Sequence, residues 1–186
     1  MDALMLIVIL IVVIICIIFG IYITLYNNLQ DFVIKINEVE SKIDNYLRNK
    51  YDNINRCVSI IKGNNKVNDE LENSMFDEIV KIRNRKISNF DLYRKLVVAY
   101  NDILSIKDKY KEIDSNEEIN KLIDKCTGID NELEVSIDYY NRNISEYNKM
   151  IKLFPTNLVA SVCKYKEKLF FDRKDMSDDD VNDFKL

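Results

Sequence analysis

The chain has 186 residues, a formal charge of −4, three Gly, one Pro and no His. So few chain breakers argue against a loop-rich or all-β fold. The absence of His removes the commonest metal ligand and the usual neutral-pH general base. The slightly acidic balance offers no broad basic surface for nucleic acid.

The first element is apolar. Residues 3–23, ALMLIVILIVVIICIIFGIYI, contain no charged side chain, and none appears between Asp2 and Asp31. At 1.5 Å per residue such a run makes a helix of roughly 30 Å, about one hydrocarbon core. Sixteen of the residues from Leu4 to Ile23 are Leu, Ile, Val or Phe. At about −0.3 to −0.6 kcal/mol each they favour insertion by about 5–10 kcal/mol. β-branched residues are modest helix formers in water, but in lipid the backbone must satisfy its own polar groups, so a helix results. A cleaved signal peptide would want a basic start, a shorter core and a small-residue cleavage site. Here the first basic residue is Lys35, and the run closes on Tyr22 and Tyr26, whose rings suit a membrane interface. The expectation is an uncleaved anchor over 1–26, touching the bilayer through residues 4–25.

The helical pattern then continues. Val33, Ile36, Val39, Ile43, Leu47, Tyr51, Ile54, Val58 and Ile61 recur at steps of three and four, with no Pro or Gly between Gly20 and Gly63. The spacing predicts one long helix from about Leu4 to Lys62, stopped by Gly63. A turn at Gly63-Asn64-Asn65 leads to a second helix carrying Val67, Leu71, Met75, Ile79 and Ile82. The basic stretch from Lys81 to Lys86 fits the solvated C-terminal end of that helix. A third helix carries Leu92, Leu96, Val97, Tyr100, Ile103, Leu104 and Tyr110, with Ser88 placed to cap it and Asp91 in its first turn.

The fourth helix has the most regular stripe: Ile119, Leu122, Cys126, Ile129, Leu133, Ser136, Tyr140, Ile144, Tyr147, Ile151 and Phe154. Ser115-Asn116-Glu117-Glu118 has the form of a capping box. The alternating steps describe a coiled-coil seam or a bundle stripe roughly 55 Å long, which Pro155 ends. Gly128 lies inside it, at a cost of about 1 kcal/mol relative to Ala. Residues 157–171 suggest a short helix or turn, with Phe170-Phe171 docking into the bundle. The acidic residues 172–186 lack apolar periodicity and read as a disordered tail. The fold class expected is all-α: an N-terminal transmembrane helix continuing into a long antiparallel bundle of about four helices, with the bundle over 27–171.

Recognisable chemistry is missing. The three glycines are isolated, so no phosphate loop forms. Triads, zincin motifs and di-iron Glu-x-x-His pairs all need His. Carboxylates such as Glu132, Glu134 and Asp138 fit the wet face of a helix. Cys57 and Cys126 fall on apolar positions and read as small buried hydrophobes. Tyr140 and Tyr147, seven apart, fit core packing better than a stacking platform. No enzyme, cofactor or metal site is expected.

Four stretches together resemble the LemA family of bacterial membrane proteins. They are the apolar start running into Tyr26-Asn27; residues 41–54 with Val58 and Lys62-Gly63; Tyr139-Tyr140-Asn141 with Glu146-Tyr147-Asn148 and Ile151; and Phe154-Pro155-Thr156-Asn157-Leu158 with Ala160 and Phe170-Phe171. The chain departs from the family at Ile54-Asn55-Arg56-Cys57, where members have Ile-Pro-Asn-Leu, and it lacks their Trp. Without that Pro the first helix has no local kink. The resemblance implies one N-terminal membrane helix and a water-exposed antiparallel bundle, with no catalytic residue to carry over. Members of the family occur in magnetosome formation, which implies assembly work at membranes. The candidate interaction or packing positions are Tyr51, Tyr140, Tyr147, Phe154, Pro155, Asn157, Phe170 and Phe171.

The function expected is a non-catalytic scaffold or protein-interaction module at the bacterial membrane, with membrane or membrane-proximal proteins as partners and no nucleic acid. The alternative is a lipid- or small-ligand-binding module with a pocket walled by Phe154, Tyr165, Phe170 and Phe171. Lys35, Lys42, Arg48 and Lys50 follow the anchor, so the positive-inside rule places the bundle on the cytoplasmic side. Three unpaired cysteines outside the anchor agree with a reducing compartment.

Overall fold

The computed structural model describes residues 3–64 and 88–171. The expected second helix, its basic end and the acidic tail lie outside the described residues. Within them the fold is all-α, with five helices: α1 (Ala3–Lys62), α2 (Asn89–Lys109), α3 (Lys111–Asp114), α4 (Glu117–Lys152) and α5 (Thr156–Val162).

Helix α1 runs unbroken through Asn27-Asn28 and through residues 54–57. It is long and apolar enough to cross a membrane. It stops where the sequence places the stop: Gly63 donates its N–H to the Ser59 carbonyl at 3.2 Å and Asn64 to Ile61 at 3.0 Å. The side chains of residues 3–21 are all exposed. From Leu29 onward one stripe is buried: Leu29, Ile36, Val39, Ile43, Leu47, Lys50, Ile54, Cys57, Val58 and Ile61. Tyr51, expected on that stripe, is only half-buried. Lys50 takes the inward position instead.

Helix α2 begins as predicted. The Ser88 hydroxyl accepts the Asp91 N–H at 3.1 Å and donates to the Asp91 carboxylate at 2.7 Å, satisfying an otherwise unpaired helix-start amide. Its buried stripe is Leu96, Ala99, Ile103 and Ile106. Tyr110, expected within this helix, instead interrupts it with an extended backbone. The break allows the single turn of α3 to bury Ile113.

Helix α4 starts one residue later than the expected capping box. Asn116, not Ser115, is the cap: its Oδ1 accepts the N–H groups of Glu118 and Ile119 at 3.0 and 3.1 Å. Its buried residues are Ile119, Leu122, Cys126, Leu133, Ile137, Ile144 and Tyr147, with Asn143 beside them. Ile137 replaces Ser136 as the inward step. Ile129, Tyr140 and Ile151 are half-buried, and Phe154 lies past the helix end and is exposed.

The chain divides into two compact units. Unit 1 comprises residues 1–40 and 138–170, and unit 2 comprises residues 41–137 and 171–186. In unit 1 the core consists of Leu29, Ile36, Ile144, Tyr147, Val159 and Ala160. In unit 2, α1 and α4 run antiparallel, since Tyr46 reaches Glu132 while Lys50 reaches Asp130. There α2 adds its stripe, and Tyr100 on α2 shares a 3.0 Å hydrogen bond with Thr127 on α4.

Candidate functional site

The candidate positions separate between the units. Tyr140, Tyr147, Phe154, Pro155, Asn157 and Phe170 belong to unit 1; Tyr51 and Phe171 belong to unit 2.

Unit 1 carries a cluster built from three helices and one extended segment. Helix α4 ends at Lys152, and a turn through Leu153, Phe154 and Pro155 reverses the chain into α5. Val159 and Ala160 of α5 enter the core, and Tyr22, Leu25 and Tyr26 of α1 pack against the same cluster. Tyr22 Oη and Cys163 Sγ lie 3.5 Å apart.

Helix α5 closes with a Schellman motif. The Tyr165 N–H donates to the Ala160 carbonyl at 2.9 Å, and the Lys164 N–H to Ser161 at 3.2 Å. Lys164 adopts the left-handed conformation, φ 56°, a position usually given to Gly.

After this motif, residues 165–170 form a strap held by side chains of α4 and α1. Tyr147 donates its hydroxyl to the Lys166 carbonyl at 3.0 Å. Asn148 makes both halves of a backbone-like pair with Lys168: its Nδ2 donates to the Lys168 carbonyl at 2.8 Å, and its Oδ1 accepts the Lys168 N–H at 2.9 Å. Tyr140 donates to the Leu169 carbonyl at 3.4 Å. Gln30 donates to the Tyr165 and Tyr26 hydroxyls at 2.6 and 3.0 Å. The Tyr147 and Tyr165 rings meet edge-on at 6.4 Å.

Burial pushes the phenols of Tyr147 and Tyr165 above their ordinary range. For Tyr140 burial acts first and the nearby Glu40 carboxylate second. Phenols are protonated at neutral pH, and those of Tyr140 and Tyr147 donate to the strap backbone while that of Tyr165 accepts from Gln30. Asn157 Oδ1 is buried with no hydrogen-bond partner.

Of the four aromatics expected to wall a pocket, Tyr165 is half-buried in unit 1. Phe154 and Phe170 are exposed. Phe171 is buried in unit 2, where it meets the Phe90 and Tyr93 rings edge-on, each at 5.8 Å. The docking expected of the Phe170-Phe171 pair is thus carried by Phe171 alone.

Unit 2 contains a residue that the sequence reading missed. Lys50 is fully buried, with its ammonium 2.5 Å from Asp130 Oδ1 and 4.9 Å from the Tyr100 ring centroid. A cleft of about 380 Å³ beside it is lined by Tyr93, Tyr100, Asn101, Asp130 and Glu134 among others. The signal was present in the sequence. Ile43, Leu47, Lys50, Ile54, Cys57 and Ile61 step by four and three without a fault, and only the charge argued for Tyr51 instead. Close by, burial pushes the thiols of Cys57 and Cys126 up to about 12 and about 11. They are the small buried hydrophobes expected. Among the described residues no group of three or more His, Cys, Asp or Glu is placed to hold a metal ion.

Residues 39–183 match the LemA family model. The chain belongs to the LemA family, and no curated protein matches it. Family membership and the apolar N-terminal helix together fit a membrane-anchored helical protein.

Proposed function

We propose that this LemA-family chain is a single-pass membrane protein. In this reading its helical body, residues 27–171, acts as a non-catalytic scaffold or protein-interaction module on the cytoplasmic side of a bacterial membrane. The observation that carries the reading is the change of character along α1. Its side chains are exposed on every face through residue 21, and apolar throughout that stretch apart from Gly20. From Leu29 the same helix buries one stripe against its neighbours. A helix apolar all round has no stable state in water and calls for lipid. The remaining length offers surface, and the tyrosine-fastened strap gives that surface a fixed shape.

The partners proposed are membrane or membrane-proximal proteins. Co-purification of the full chain from gently solubilised membranes should recover specific proteins whose capture is lost when the surface of α4 is altered. Recovery of lipid and chaperones only counts against the scaffold role. The cytoplasmic placement follows the basic residues after the anchor, Lys35, Lys42 and Arg48. An engineered Ser177→Cys in intact cells should resist an impermeant thiol reagent. Labelling from outside reverses the orientation.

A further inference from the structure

The turn between α4 and α5, together with α5 itself, has no charge from Leu153 to Cys163, and Lys152 and Lys164 bracket that run. Helix α5 is apolar on two faces. Thr156, Val159 and Ala160 are buried, whereas Leu158 is 59% and Val162 70% exposed. Residues four apart share a helix face, so Leu158 and Val162 form one outward row. Before them come Leu153, 52% exposed, and Phe154, 78% exposed. Grouped exposed apolar side chains of this kind mark a contact surface.

The location says what covers it. Cys163 sits 3.5 Å from Tyr22, which lies at the end of the apolar run of α1. Tyr22, Leu25 and Tyr26 pack on the same cluster as Val159 and Ala160. The row is therefore continuous with the stretch of α1 assigned to lipid. The flanking charges suit a headgroup layer. Lys149 and Lys152 end α4 and Lys164 follows α5, with Glu167 paired to Lys152 at 3.0 Å. Lysine stems lie along apolar surface while their ammonium groups reach phosphate.

We propose that Leu153, Phe154, Leu158 and Val162 form a second membrane contact, a foot resting in the headgroup–acyl boundary beside α1. Interfacial helices of this kind bury an apolar face by about 5–10 Å. The foot fixes the tilt of α1 where it leaves the bilayer, because tilt is set by packing and interfacial anchors. This inference rests on the membrane-anchor reading above.

The chain contains no Trp, so a single introduced Trp is a unique reporter. Four variants of the full chain are placed in phosphatidylcholine–phosphatidylglycerol vesicles carrying nitroxide labels at shallow or deep acyl positions: Phe154→Trp, Leu158→Trp, Ile14→Trp and Ile34→Trp. Circular dichroism checks that each is folded. The foot predicts quenching of the Phe154→Trp and Leu158→Trp variants by the shallow label and of Ile14→Trp by the deep label. Ile34, exposed and about 16 Å beyond Ile23 along the helix, should give an unquenched Trp. Quenching of Ile14→Trp without that of Phe154→Trp and Leu158→Trp overturns the foot and leaves the anchor standing. A blue-shifted but unquenched Trp at 154 also overturns it, in favour of a protein covering. No quenching at Ile14→Trp overturns the anchor reading and the foot together.

Discussion

The two units bury polar atoms in opposite ways. Unit 1 does it with a tyrosine and an asparagine. Tyr147 and Asn148 spend their polar tips on the backbone carbonyls of Lys166 and Lys168. Unit 2 does it with a cation, Lys50, which shares the buried stripe of α1 with Leu47 and Ile54 and whose ammonium meets Asp130. Both grow from the same three-and-four spacing. A neutral polar tip needs one or two fixed acceptors, and a strap supplies them. A buried ammonium needs a counter-charge, and here Asp130 supplies it with the Tyr100 ring beside it.

The largest expected effect breaks the first half of this contrast. Tyr147→Ala removes a buried ring and should cost about 3–5 kcal/mol of unfolding free energy. Tyr147→Phe keeps the ring, loses the bond to Lys166 and should cost about 1 kcal/mol. Chemical denaturation in detergent followed by circular dichroism measures both. Equal losses would show that the strap bond, not the ring, holds unit 1.

The second half of the contrast breaks at Asp130. Asp130→Ala leaves the Lys50 ammonium buried without its carboxylate and should cost about 3 kcal/mol. That figure sits at the low end for buried pairs because the Asp130 side chain is 35% exposed. Lys50→Met removes the cation with its need and should stay within about 1 kcal/mol of the parent or exceed it. If Lys50→Met proves the worse of the two, the pair is stabilising unit 2 beyond its desolvation cost.

An alkaline titration tells the thiols of unit 2 from the phenols of unit 1. Cys57 and Cys126 hold their protons to about 12 and about 11 in the fold, against an ordinary 9.0. Below that ordinary value both states are protonated and the thiols contribute nothing. Above it the unfolded chain releases protons that the folded chain keeps, so stability falls as pH rises from 9 toward 11. The phenols of Tyr140, Tyr147 and Tyr165, all shifted upward, add a fall of the same sign at somewhat higher pH. Replacing Cys57 and Cys126 by Ala should flatten the earlier part of the slope and leave the later part.

The smallest effect concerns Gly128. A Cβ there meets nothing within 4 Å, so Gly128→Ala should stabilise by about 1 kcal/mol through backbone entropy alone. A destabilised Gly128→Ala would mean that the exposed face of α4 contacts something in the sample.

Much of this was legible in the sequence because the signals are local. Gly63 stops α1, Ser88 caps α2, and Pro155 follows the end of α4, each through the conformations its own residue allows. The apolar run of residues 3–23 needs no neighbour to declare itself. The helix starts were legible only to within a residue. Ser115 and Asn116 can both cap, and the geometry of the turn after α3 chose Asn116. The strap was not legible at all. Residues 165–170 have no period, and their path depends on Tyr147 and Asn148, which precede them in sequence by about twenty positions.

Already in the sequence are the helical character of the chain, the stop of α1 at Gly63 and the passage of α1 from an apolar stretch to a striped one. Those properties follow from composition, spacing and breakers, which act over a few residues. Within the helices, tertiary contacts set which of two neighbours faces inward: Lys50 over Tyr51 and Ile137 over Ser136. In a helix adjacent residues differ by about 100°, so both can border a stripe. The partner surface makes the choice, and here Asp130, with the Tyr100 ring beside it, gave the inward place to a lysine.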